Sequence, residues 1–375
     1  MIKYLSKTNR QALAGVALLR LDFNTKDDWR MEAVLPTVKL LAKTASKVVI
    51  VSHRGRPDGG EIVNGRPKGF PADLHLHRDA VRLARFIKRK VKFVSHFRFD
   101  EIKQMIARAP RGSVFMLDNL RFLKSEEAND PSFARQLAAL ADFYVNDAFA
   151  VDHRANASVA AITKFLPSYA GLELEAEIAA LSKVMVKPAH PLVLILGGAK
   201  ASDKLGVISF FERKADSFLL GGASANSILA LKGVNVKRSL REKDPKTLMA
   251  LGAVAKQGNV VLPADFIWSK DAILDIGPKS AALFNKKIAP ARTIIWSGPL
   301  GLIEKKAYAK GSVAIARAIG RNRKAFSITG GGETVMFLKQ YRLDKKFSFI
   351  STGGGAMLDF LAGEKLPGIE ALKNN

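Results

Sequence analysis

Apolar positions along this chain fall into two rhythms. Short runs rich in Val, Ile, Leu and Phe recur at 16–23, 47–52, 91–95, 113–117, 143–146, 192–196, 217–220, 260–262, 293–296, 326–329 and 347–351. Most are continuous rather than alternating, as expected of strands covered on both faces. Between many of them lie helical patterns, such as 33–45, 76–90 and 133–141. Strands that alternate with helices predict an α/β fold with open parallel sheets. Eleven such runs are too many for one comfortable sheet, which points to two domains. The stretch 172–185 is a strong helix former opened by Glu173, Glu175 and Glu177, acids that suit a helix N-terminus, and Pro188 and Pro191 follow it. It marks a boundary between two α/β halves.

In open α/β sheets ligands bind at the carboxyl ends of the strands. In the second half these ends are glycine-rich: Gly197-Gly198-Ala199-Lys200, Gly221-Gly222-Ala223, Ser297-Gly298-Pro299, Gly330-Gly331-Gly332-Glu333-Thr334 and Ser351-Thr352-Gly353-Gly354-Gly355. Glycine lets backbone N–H groups approach an anion, and a following helix adds its positive end. One such turn is an ordinary strand-to-helix connection. Five in succession describe a polyphosphate cradle. The first half carries different chemistry at its strand ends: Asp22 and Asn24, His53 with Arg54 and Arg56, Arg121, and His153 with Arg154. Guanidinium forks suit phosphates and carboxylates, so this half fits a small anionic molecule. A nucleotide on one half and a small phosphorylated acid on the other suit phosphoryl transfer between domains that close on each other.

Composition narrows the field. The 375 residues include no cysteine, which excludes disulfide scaffolds, thiolate metal sites and cysteine nucleophiles and fits an intracellular protein. No apolar run approaches the roughly 20 residues that span a bilayer. Lys3, Lys7 and Arg10 before the apolar stretch 12–19 faintly resemble a secretion signal, but no small-residue cleavage site follows, so the stretch reads as a first buried strand. The P-loop, dinucleotide and nucleophile-elbow patterns are absent. His75 and His77 have no third ligand nearby in sequence and do not suggest a metal site. The net charge of +26 is the unusual feature. It attracts phosphates, nucleic acid and anionic membranes. It is spread over both halves, with its densest cluster at Arg82, Arg85, Lys88, Arg89 and Lys90, and reads as a solvated basic surface.

Twelve segments, in order, resemble the phosphoglycerate kinase family: RLDFN (20–24), RMEAVLPT (30–37), SHRGRP (52–57), DNLRF (118–122), NDAFAVDHRANAS (146–158), LGGAKASDK (196–204), GGASANSI (221–228), VLPADF (261–266), DIGP (275–278), WSGPLGLIE (296–304), GGGET (330–334) and STGGGA (351–356). The resemblance implies two Rossmann-like domains facing a cleft. Residues 1–171 would bind phosphoglycerate, 172–187 would be the linking helix and 188–359 would bind nucleotide, with 360–375 packing back on the first domain. It also implies transfer of the acyl phosphate of 1,3-bisphosphoglycerate to ADP, giving 3-phosphoglycerate and ATP, by a cytoplasmic monomer without an obligate protein partner. Asp22, Asn24, Arg30, His53, Arg56, Arg121 and Arg154 would hold the phosphoglycerate. Gly197, Lys200, Lys204, Gly221, Pro299, Glu304 and the turn Gly330, Gly331, Gly332, Glu333 and Thr334 would hold the nucleotide, with Glu333 on the Mg²⁺ side. Arg30, Lys200, Gly332 and Gly355 would serve the transferring group.

Several positions depart from that family's usual pattern. Glu333 stands in place of an aspartate, Ser297 of an asparagine, Ile303 of an aromatic residue, Ser224 of a methionine and Asn156 of a histidine, and the connection 267–274 is short. Most of these changes fall on the nucleotide half. They leave open altered nucleotide preference or a weakened catalyst that uses its basic surface on nucleic acid or anionic membranes.

Overall fold

The computed structural model describes residues 1–25 and 27–374. The chain divides into two compact units, Met1–Ile178 with Lys365–Asn375, and Ala179–Glu364. Each is built on a six-stranded sheet whose neighbouring strands all run parallel. No described helix is long and apolar enough to cross a membrane.

Unit 1 contains β1 (Val16–Arg20), β2 (Lys47–Val51), β3 (Val91–Val94), β4 (Ser113–Leu117), β5 (Phe143–Asn146) and β6 (Ser168–Ala170), in the spatial order β3-β4-β2-β1-β5-β6. Its central strands are buried almost throughout, which is why they read as continuous apolar runs. Leu19, Ile50, Met116 and Val145 pack under α1 (Trp29–Thr44), which contributes Met31, Val34, Val38 and Leu41 to the same core. β1 ends at Arg20, three residues before its apolar run does, because Asp22 turns back to accept the Asn24 N–H at 2.8 Å. The short strand β6 carries no apolar run and is not apparent in the sequence.

Unit 2 contains β7 (Leu192–Leu196), β8 (Ser217–Leu220), β9 (Val260–Val261), β10 (Thr293–Ser297), β11 (Phe326–Gly330) and β12 (Phe349–Ser351), ordered β9-β8-β7-β10-β11-β12. Strand order therefore reverses direction between β7 and β10, the place where such sheets open a ligand crevice. Trp296, at the end of β10, is fully buried within 6.3 Å of the Phe337 ring and 6.0 Å of the Phe347 ring. Its Nε1 donates to the Gly298 carbonyl at 2.8 Å, so the core anchors the turn that enters the crevice.

The division between the units falls inside α2 (Leu172–Val186), the helix expected as the link. Its first turn is held in unit 1: Leu172 N donates to Thr37 Oγ1 at 3.0 Å and Leu174 N to Asp147 Oδ1 at 2.9 Å. The last residues also belong to unit 1, where Gly368 N donates to the Asp152 carbonyl at 2.9 Å and the amino terminus to Lys373 O at 3.0 Å.

Candidate functional site

The carboxyl ends of β1 and β2 and the loops after β4 and β5 bring together most of the polar residues singled out in the first half. Asp22, only 5 % exposed, accepts from Arg30 Nη1 at 2.6 Å. Its other oxygen lies 3.7 Å from His53 Nδ1. Burial alone would raise the Asp22 carboxyl, but Arg30, His53, the Asn24 N–H and Arg20 outweigh it and hold the group below the usual carboxylate range. The Asn24 side chain accepts from Gly55 N at 2.8 Å and so fixes the loop after β2. Asn119 clamps the same loop from the other side, accepting Arg54 N at 3.1 Å and donating to Arg54 O at 2.7 Å. Arg121 Nη1 donates to Gly55 O at 2.7 Å, and its Nε lies 3.3 Å from Glu127. Burial first, then the neighbouring Arg154, push the Arg121 guanidinium down to about 10. Arg154 Nε donates to His153 Nε2 at 3.1 Å. Arg56 is exposed at the rim of the loop.

Arg20 was not singled out by sequence, because the end of an apolar strand gives no local reason to expect a functional arginine. It is 1 % exposed and connects the site to its support. Nη2 donates to His53 Nδ1 at 3.2 Å and Nε to Ser158 Oγ at 2.9 Å. Ser158 in turn donates to buried Glu126 Oε1 at 2.6 Å. Burial is the main force pushing the His53 imidazole well below its ordinary value; Arg20, Arg121 and Arg154 add to it against Asp22. Arg30, Arg54 and Arg121 are in ion pairs, while Arg20 and Arg154 are in none among the described residues. The site is a buried concentration of positive charge and N–H donors, suited to a phosphorylated anion.

In unit 2 a cavity of about 190 Å³ opens beside the switch point and is lined by Gly198, Gly222, Asn226, Pro299, Glu304 and Glu333 among others. The turns around it interlock through backbone. Gly197 N donates to Ser297 O at 3.0 Å and Gly198 N to Pro299 O at 2.7 Å. A Cβ on Gly197 would collide with the Pro299 carbonyl, and one on Gly221 with Leu300. Gly330 is buried against Met357, and Gly331 has φ +95°, which leads the chain into α5 (Gly332–Gln340). In contrast, Gly332 and Gly355 have nothing within 4 Å of where a Cβ would stand. Packing in the fold does not demand glycine at either position. Lys204, on α3 (Ser202–Phe211), is 7 % exposed; burial lowers its amine against the pull of Asp203 and Glu333. Glu333 is exposed in the first turn of α5 and Thr334 is buried behind it. Lys200 is exposed in the turn after β7; of the residues expected at the nucleotide, only Pro299, Glu304 and Glu333 line the cavity.

This arrangement has clear relatives. The family described as "Phosphoglycerate kinase" matches residues 15–364. A phosphoglycerate kinase of Dictyoglomus turgidum is 40 % identical over 95 % of this chain and 95 % of its own length. One from Acidobacterium capsulatum is 41 % identical over 94 % of this chain and 95 % of its own. The solved structure of phosphoglycerate kinase from Coxiella burnetii superimposes with a TM-score of 0.83 at 31 % identity, covering 100 % of this chain and 99 % of that one. The chain belongs to the phosphoglycerate kinase family. It is thereby a phosphotransferase, as its motifs led us to expect.

The positions that depart from the family's usual pattern have definite surroundings. Ile303 is 9 % exposed in the apolar core of unit 2, and Ser224 and Ser297 are buried. Asn156 donates to the Glu126 carbonyl at 3.3 Å, supporting the network under His53. The short connection forms a hairpin, Phe266–Ser269 with Ala272–Ile276, whose Phe266 and Ile273 line the cavity.

Proposed function

We propose that the chain is a Mg²⁺-dependent phosphoglycerate kinase that transfers the acyl phosphate of 1,3-bisphosphoglycerate to ADP, reversibly. The observation that carries the reading is the pair of complementary anion sites: the guanidinium cluster around Asp22 and His53 in unit 1, and the glycine-walled cavity in unit 2. In this proposal Arg20, His53, Arg56, Arg121 and Arg154 hold the phosphoglycerate phosphate, and Asp22 and Asn24 orient its hydroxyl. The open N–H groups at Gly332 and Gly355, with Lys204, hold nucleotide phosphates, and Pro299 and Glu304 border the nucleoside.

The chemistry needs little beyond placement. A β-phosphate oxygen of ADP forms the new bond to phosphorus as the bond to the carboxyl oxygen breaks, and 3-phosphoglycerate leaves as a carboxylate. Nucleophile and leaving group are both anionic, so no general base is required. The transferring group needs positive charge at its equatorial oxygens and exclusion of water. Arg30 and Lys200 are the groups assigned to that charge. Closure of the two units about α2, monomeric action and a cytoplasmic location are part of this proposal.

Mg²⁺ fits the donor set as an ion shared with the nucleotide. Among the described residues no group of three His, Cys, Asp or Glu side chains could hold a metal; Asp275, Glu304 and Glu333 line the cavity, and this proposal gives Glu333 the Mg²⁺ side. One or two carboxylates plus substrate phosphates is a common way of binding this ion. When bound, Mg²⁺ would neutralise charge on the nucleotide phosphates.

The test is ATP formation from 1,3-bisphosphoglycerate and ADP, with and without Mg²⁺, by the parent protein and Glu333→Asp. Magnesium-dependent ATP from the parent is expected. ATP only from the aspartate variant would place a defect at the metal, and no ATP from either would overturn the reading.

A further inference from the structure

The helices of unit 1 feed into parallel strands, so helix C-termini and strand N-termini gather on one face, at the opposite end of the sheet from Asp22 and His53. The register fixes this: Val16 pairs with Lys47, Lys47 with Ser113, and Val91 with Val114. Basic residues from separate segments converge there. Arg89 donates to the Ala42 carbonyl at 3.0 Å, Arg111 to Thr44 O at 3.2 Å and Lys47 to Ala107 O at 3.3 Å. These three cations complement helix ends, an ordinary structural use.

Five more donate to none of these carbonyls, although Lys43, Lys88 and Arg108 also stand at helix ends. Lys43 lies in the last turn of α1, Lys88 caps the helix His77–Ile87, Lys90 and Lys92 flank the first residue of the edge strand β3, and Arg108 ends the helix Phe99–Arg108. All five are exposed, and none is in an ion pair among the described residues. Nearby acids are engaged elsewhere: Glu101 pairs with Arg98 at 2.9 Å, and Asp142 accepts Val16 N at 2.6 Å. Uncompensated like charges held this close repel one another. Beside them runs a groove of about 660 Å³, lined by Lys90, Lys92, Arg108, Gln104, Ser113 and Phe115, with Glu101 as the one acid in its lining. It adds neutral hydrogen-bonding side chains to the cations.

We infer that this face binds the phosphate backbone of single-stranded nucleic acid, independently of phosphoryl transfer. A lipid surface suits it less well, because none of the exposed large apolar side chains of the chain belongs to the strand-end loops or the groove that form it. Cations on adjoining strand ends, with strands roughly 4.8 Å apart, can follow a chain of phosphates. No base-reading geometry is implied, so binding is sequence-independent and strongly salt-dependent.

The test is fluorescence anisotropy of a labelled RNA 20-mer titrated with the full chain at graded salt. We expect a Kd of about a micromolar at about 50 mM salt. In the variant Lys43→Ala/Lys88→Ala/Lys90→Ala/Lys92→Ala/Arg108→Ala the slope of log K against log salt should fall by about 3.5, at roughly 0.7 per lost contact. Kinase turnover and the melting temperature of that variant should stay near the parent's. Replacing Lys243, Lys246, Lys256, Lys286 and Lys287, equally exposed on unit 2, should leave most RNA affinity intact. Equal losses in both variants would reduce the effect to net charge and overturn the inference. So would no binding by the parent, displacement of RNA by excess ATP, or binding to phosphatidylserine vesicles but not to RNA.

Discussion

Arg20 donates a hydrogen bond to Nδ1 of His53, and the two side chains are buried together. An arginine can only donate, so Nδ1 is the acceptor and the ring hydrogen sits on Nε2. His53 is therefore a neutral donor aimed away from Arg20. Its depressed pKa has a second consequence: as pH falls below about 6.5 the unfolded histidine gains a proton the folded one refuses, and stability declines. For catalysis we expect no ionisation of His53 between about pH 6 and 8. His53→Gln should keep most phosphoglycerate affinity, while His53→Ala should raise KM about tenfold, the loss of one hydrogen bond. A pH profile with a step in this range that vanishes in His53→Gln would show a charged imidazole instead.

Arg30 is poised by its 2.6 Å bond to Asp22, which keeps the guanidinium at the carboxyl end of the sheet with little freedom. If it neutralises charge on the transferring group, Arg30→Ala lowers kcat by about 10²–10³, as removal of one preorganised donor does. Nucleotide KM should move little. Steady-state kinetics of both substrates separate the two effects, and an unchanged kcat would remove Arg30 from the transfer step.

Gly332 and Gly355 offer a sharper separation of stability from function. Both begin helices, α5 and α6 (Gly355–Leu361), and both have open space where a methyl group would go. Alanine there should leave the melting temperature unchanged or raise it, since glycine in a helix costs roughly 0.5–1 kcal/mol relative to alanine. The same methyl group would stand where phosphate oxygens must approach. We expect Gly332→Ala to fold normally and to lose at least about tenfold in nucleotide affinity, a shift of 1.4 kcal/mol readable by calorimetry. A stable variant with normal affinity would show that ligand does not approach this N–H.

The sheets were legible because continuous apolar runs have few alternatives in a chain of this composition. What escaped had physical reasons. Ser-Tyr-Ala at β6 is too short and too mixed to register. The small hairpin Glu61–Val63 with Arg66–Lys68 carries charged, exposed residues, although its turn, Asn64-Gly65, has the two positive φ values that such a pair favours. Placing β4 between β3 and β2 depends on tertiary packing that local pattern does not encode. In the site, Asp22, His53 and Arg121 stood out as polar residues at strand ends. Arg20, Asn119 and Glu126 act by holding others in place, and only their partners reveal them. Of the basic face only the run at Lys88, Arg89 and Lys90 stood out; Lys43, Lys47, Arg108 and Arg111 come from separate segments that only the parallel register brings beside it.

A buried carboxylate beneath the site supplies a last prediction. Asp152 is fully buried; its Oδ1 accepts from Asn146 Nδ2 at 2.7 Å, and its Oδ2 has no hydrogen-bond partner. Burial, against Asn146 and Arg20 and with help from Asp147 and Glu177, pushes its pKa up to about 7. The sign follows from proton counting. Between about 4 and 7 the folded carboxyl keeps a proton that the unfolded one has released, so stability falls as pH rises through this window. An amide of the same shape carries no charge to bury. Asp152→Asn should therefore raise the melting temperature at pH 8 by a few degrees relative to the parent and change it little at pH 4.5. Gly368, whose Cα faces the Asp152 carboxylate too closely for a Cβ, ties this measurement to the returning C-terminal segment and its helix Pro367–Lys373. Melting curves of the two proteins across pH 4.5 to 8 decide the matter: a variant less stable at pH 8 would mean that the Asp152 charge is compensated and contributes to holding that segment in place.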